Sequence, residues 1–156
     1  MKVLLAVSLL FVATFLIADE MDCPLHKTHE MEARGDSAMG FDHLKTTHHF
    51  LLKDDGGVIQ VEANNAEDSQ SRDAIRQHLQ RIAQMFQDGN FEIPMFVHAQ
   101  EPPGVPTMKK LKSEINYSYE ETTQGGRVKI NSPNAEAVSA IHDFLNFQIQ
   151  EHHTGD

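Results

Sequence analysis

Between Cys23 and Phe50 the chain gathers residues that bind metal ions, including its only cysteine and five of its ten histidines. Cys23, His26, His29 and Met31 fall within nine residues. Sulfur donors are soft and imidazole is borderline, so this set suits copper or zinc better than calcium or magnesium. A thiolate and an imidazole three residues apart reach one ion on a flexible chain, and Pro24 stiffens the turn between Cys23 and His26. A second group lies in the run from Met39 to Phe50, which holds His43, His48 and His49.

The elements that must position these groups follow from hydrophobic period. Thr46 to Lys53 is rich in β-branched and aromatic residues, Asp54-Asp55-Gly56-Gly57 is a turn, and Val58 to Ala63 alternates, which predicts a β-hairpin. Neighbours in a strand face opposite ways, so His48 and His49 cannot share an ion without a bulge. His48 goes with Phe50 and Leu52 toward the core, as a hydrogen-bonded core histidine. His49 is left on the open face as the better ligand, with His43 and Met39 able to join it and Asp42 able to orient a ring. His98, before a proline-rich bend, is a further candidate. His152 and His153 at the end of the last helix read as cations favoured by the helix dipole.

Ile75, Leu79, Ile82 and Phe86 form one stripe of a helix from Ser69 to Gly89. Pro94, Pro102, Pro103 and Pro106 predict loops with fixed bends, then a short helix over Met108 to Leu111. Ile115, Tyr117 and Tyr119 alternate, Gln124-Gly125-Gly126 turns, Val128 and Ile130 alternate, and Asn134 to His152 is a second helix. Gly56-Gly57-Val58-Ile59-Gln60-Val61 matches Gly125-Gly126-Arg127-Val128-Lys129-Ile130, and Leu79 matches Leu145. The chain is therefore read as α+β: a duplicated strand-strand-helix unit (about 46–90 and 114–156) forming a four-stranded antiparallel sheet with two helices on one face. Residues 19–45 are read as an irregular ligand-bearing arm, since they show no sustained period.

Met1-Lys2, an apolar run from Val3 to Ala18 and an acidic Asp19-Glu20 have the pattern of a signal peptide over 1–18, which predicts a periplasmic or secreted protein. Cleavage after Ala18 would leave 138 residues and raise the net charge from −10 to −11 through loss of Lys2. Such an acidic chain has no electrostatic reason to approach nucleic acid or an anionic membrane surface. A lone cysteine in an exported chain points to a metal ligand, an intermolecular bridge or a reactive thiol. There is no Gly-x-Ser-x-Gly elbow, phosphate-binding loop or dinucleotide fingerprint, so no catalytic residue is assigned.

Cys23-Pro24-Leu25-His26 resembles the Cys-Pro-x-His element of heavy-metal-binding segments, with Leu25 where those usually have methionine. The run Met39 to Phe50, with Pro102-Pro103-Gly104-Val105-Pro106 and His153-Thr154-Gly155-Asp156, resembles a family of small exported bacterial proteins of unknown function. Members of that family are sometimes labelled aspartate carbamoyltransferase. That enzyme needs a Ser-Thr-Arg-Thr phosphate loop, which this sequence lacks, so the resemblance implies a shared fold and export but transfers no catalytic residue.

The expected function is binding of copper or zinc through Cys23, His26 and His29, with Met39, His43, His49 and His98 as further ligands. The alternative is a protein-interaction module or homodimer using the open sheet face. A small cysteine- or metal-dependent enzyme comes third.

Overall fold

A computed structural model describes residues 24–156, and side chains from His29 onward. The elements in order are α1 (Pro24–Met39), a 3-10 turn (His43–Lys45), β1 (Thr46–Lys53), β2 (Gly56–Ala63), α2 (Ser69–Gln87), α3 (Glu92–His98), α4 (Val105–Lys110), a second 3-10 turn (Lys112–Glu114), β3 (Asn116–Glu121), β4 (Gly125–Asn131) and α5 (Ala135–His152). The strands form one antiparallel sheet in the order β1-β2-β4-β3. The architecture is α+β, as the sequence predicts.

The duplication is visible in the central strand pair. Gly57 pairs with Ile130 and Val61 pairs with Gly126, symmetrically about the Ile59–Val128 pair. Gly57 corresponds to Gly126 in the repeat, and Val61 to Ile130, so the register has an approximate two-fold axis at its centre. The helices cross over. α2, from the first half, packs chiefly on β4 and β3, while α5, from the second, packs on β1 and β2. The repeated glycines sit under these crossings. A Cβ at Gly57 would lie 2.2 Å from Leu145 Cδ1, and one at Gly126 would lie 3.4 Å from Leu79 Cδ1. Each half thus supplies the helix that buries the other half's hairpin, and Ile75, Leu79, Val128, Ile130, Ile141, Phe144 and Leu145 make the core between the layers.

α2 begins at Asp68, whose side chain accepts the Ser71 N–H, and α5 begins at Asn134, whose side chain accepts those of Glu136 and Ala137. On the open face Glu120 of β3 bridges two cations of β4, Arg127 (2.8 Å) and Lys129 (2.6 Å).

Two expectations are corrected. Residues 24–39 of the supposed irregular arm are helical. Met31 and Gly35 are buried one turn apart, Arg34 Nε donates to Val97 O (2.9 Å) and Arg81 Nη2 donates to Ala38 O (2.8 Å), which ties α1 to α3 and α2. Gly40 ends α1 with a left-handed φ of 80°, its N–H donating to Asp36 O at 3.0 Å. Tertiary contact supplies the helix that a weak apolar period did not announce. The proline-rich stretch likewise contains α3, where Pro94 is the third residue; α4, which carries Pro106 in its first turn, is the short helix expected there, begun three residues earlier at Val105. In a first turn the missing N–H has no intrahelical partner to lose, so proline starts these helices rather than breaking them.

Candidate functional site

The predicted ligands do not all converge. Cys23 lies outside the described residues, as does the side chain of His26. His29 is 85% exposed on α1, with Nδ1 3.8 Å from Glu32. His49 faces the open side, and its Nδ1 lies 2.9 Å from Asp156 Oδ1. The other oxygen of Asp156 accepts the Phe50 N–H at 3.0 Å. Burial opposes ionisation of Asp156, but the bonds from His49, Phe50 and Thr154 prevail and hold its carboxyl below the usual range. This carboxylate ties the segment after α5 to the outer edge of β1. Asp156→Ala is expected to cost about 1 kcal/mol and to speed hydrogen exchange at the Phe50 amide; unchanged exchange there would count against the tie.

His43 is held by Asp36, not by the expected Asp42. Its Nδ1 is 3.0 Å from both Asp36 carboxylate oxygens, and its backbone N–H donates to Oδ1 at 2.8 Å. Asp42 instead caps the 3-10 turn by accepting the Leu44 N–H. Among the described residues, Asp36, Asp42 and His43 alone bring three His, Cys or carboxylate ligand atoms within 4.8 Å of one another. That group is oxygen-rich, is not specific to copper or zinc, and already uses its oxygens to shape the turn.

His98 is not on a loop. It is the last residue of α3 and is buried, with Nε2 3.0 Å from Gln148 Oε1, Nδ1 3.7 Å from Glu151 Oε2, and its ring edge-on to Phe147 and His152.

The structure gathers a different set of histidines. His48 on β1, His78 on α2, His98 on α3 and His152 on α5 line one apolar cavity of about 70 Å³, together with Met39 and Gln148. His48 and His152 stack at 5.8 Å with planes 9° apart, and Phe41 lies between His48 (6.1 Å) and His78 (5.6 Å). His48 lies on the core side of β1, as strand parity predicts, but it is only half-buried and no hydrogen bond reaches its ring among the described residues; the same holds for His152. Burial lowers the pKa of His48 to about 4, with the charges of His49 and His43 adding to it. Burial lowers His78 to about 3, helped by Arg81 and His48. It also lowers His152 to about 3, helped by His48, His98 and His153. His98 is lowered by burial against the opposing pull of Gln148 and Glu151. His152 is therefore a half-buried neutral ring against the apolar cavity, not the helix-end cation expected.

A second, wider cleft of about 350 Å³ opens beside the first, between α1, β1 and the end of α5. Glu32, His43 and Glu151 line it, and Met39, His48 and His152 line both spaces. Those three side chains form the partition between an apolar interior and a polar mouth. Gln148, 4% exposed, lines the inner space with a buried amide nitrogen that has no hydrogen-bond partner among the described residues.

Sequence reasoning singled out Met39 and His43 and missed the convergence of His48, His78, His98 and His152. A signal was present for three of them. His48 shares the core side of β1, His78 falls on the stripe of Ile75 and Ile82, and His152 falls on that of Leu145 and Ile149. Among the described residues no helix is long and apolar enough to cross a membrane. No family model, curated protein or solved structure matches this chain.

Proposed function

We propose that this is an exported binder of a soft or borderline transition metal, copper first and zinc second, and that the ion is held at the partition between the two spaces. The donors are His48, His152 and Met39, with His43 at the mouth. Cys23 and His26 are further ligand candidates from the sequence alone. Export rests on the leader pattern of residues 1–18.

One observation carries the reading. Two neighbouring imidazoles, His48 and His152, are kept neutral by burial, take no hydrogen bond from the described residues, and share two cavities with a thioether. A metal ligand must be a neutral imidazole with a lone pair to give, and burial meets the first condition at neutral pH. The parallel rings must rotate to converge on one ion, a side-chain movement into space that both cavities provide.

Untagged protein titrated with copper and zinc, then assayed for bound metal by mass spectrometry, tests this. About one equivalent is expected at micromolar metal. It should be lost in His48→Phe and His152→Phe, which keep the ring stacking, and retained in His49→Ala, whose ring is already held by Asp156. Absence of bound metal in the wild type would end the proposal. So would loss in His49→Ala with retention in both phenylalanine variants.

A further inference from the structure

We infer that the ion held between Met39, His48 and His152 is copper in its +1 state, and that the inner cavity selects it against divalent ions. This rests on the metal-binding reading and specifies its ligand.

The inner cavity is bounded by Ile59, Val61, Leu79, Ile82 and Phe144, together with the neutral rings and Met39. Among the described residues no carboxylate lines it; Glu32 and Glu151 line the outer cleft. The cost of desolvating an ion rises with the square of its charge, so a dication beside these walls pays about four times the cost of a monocation by the Born argument. Neutral imidazoles and a thioether return no charge to offset it. A monovalent, soft, weakly hydrated ion that accepts few ligands is the one such a site favours, and thioether donors select copper(I). Divalent zinc or copper finds better compensation in the outer cleft, where Glu32, His43 and Glu151 stand. The partition thus sorts ions: carboxylates and an oriented imidazole outside, sulfur and neutral nitrogen inside.

His98 stands edge-on to the His152 ring at 5.1 Å and is itself held by Gln148 Oε1 at 3.0 Å, so His98 and Gln148 back that ring without supplying a ligand.

The test is an anaerobic titration of the full chain with copper(I) against a chromophoric copper(I) chelator, beside parallel titrations with zinc(II) and copper(II). Copper(I) is expected to bind at least about 100-fold more tightly than zinc(II). Met39→Leu should weaken copper(I) by roughly tenfold or more, remove the sulfur contribution from the copper X-ray absorption spectrum, and leave zinc(II) within about twofold. Circular dichroism checks that the variant folds. Zinc(II) binding as tightly as copper(I), with the same dependence on His48 and His152, would overturn the inference and leave metal binding intact. A copper(I) affinity indifferent to Met39→Leu in a folded variant would also overturn it. If neither ion binds the wild type, both readings fall together.

Discussion

Lowering the pH to about 5 is expected to unfold the metal-free protein. Burial pushes His48, His78 and His152 down to about 4, 3 and 3, against about 6.5 for a free imidazole. The sign follows directly. A group whose folded pKa is depressed binds its proton in the unfolded state first, so the stability is fully present above about pH 6.5 and drains away as pH falls toward the folded values. At pH 5 each of the three costs about 2 kcal/mol, on the order of 6 kcal/mol together, which is comparable to the whole stability of a domain this size. Unfolding by circular dichroism should therefore be steep in pH, taking up about three protons. His78→Leu removes one of them. It should move the midpoint down by roughly half a pH unit or more and reduce the steepness by about a third. A wild-type midpoint below about pH 4, or a His78→Leu profile that superimposes on the wild type, would show that these rings are not neutral in the folded chain. Metal bound as proposed above would shift the wild-type midpoint downward as well, because a ligand that binds only the folded state adds to its stability.

Gly57→Val is expected to lower the melting temperature by about 10 °C or more, a loss of about 3 kcal/mol. Even a single Cβ at this position would sit 2.2 Å from Leu145 Cδ1 and 2.7 Å from the backbone oxygen of Leu51. Leu145 is fully buried and cannot swing aside without displacing Ile141 or Phe144 in the same core. The oxygen of Leu51 belongs to the β1–β2 ladder and cannot give. The symmetry of the fold supplies an internal comparison. Gly126, the counterpart of Gly57, has Tyr119 Cε2 at 2.9 Å and Leu79 Cδ1 at 3.4 Å from its notional Cβ, so Gly126→Ala should cost less than half as much as Gly57→Ala. Shortening the opposing side chain separates the two contributions. Leu145→Ala combined with Gly57→Val should be less destabilising than the sum of the two single changes, because the valine fills part of the space the leucine leaves. Strict additivity would mean that the crossing of α5 over β2 is not where the cost arises.

These results bear on how much of the molecule is legible without its fold. Alternating runs at Thr46–Lys53 and Val128–Ile130, and stripes such as Ile75, Leu79, Ile82 and Phe86, carry their own period, so both hairpins and both long helices follow from local pattern. The double Gly-Gly motif also exposes the duplication. α1 and α3 do not follow in this way. Of its described side chains α1 buries little more than Met31, Gly35 and part of Met39, and α3 contains a proline; each is helical because it has the other to pack against.

The site divides along the same line. The sequence by itself determined the α+β class, the internal repeat, and the facing of His48 toward the core and His49 away from it, because strand parity and helical period are properties of a few consecutive residues. Only the tertiary structure decided that His48, His78, His98 and His152 meet. They come from β1, α2, α3 and α5, and their meeting depends on α5 crossing onto the first hairpin while α1 and α3 close the side. Neutrality was decided there too, since an imidazole loses its charge through the apolar volume that distant elements place around it, and no neighbour in sequence supplies that volume.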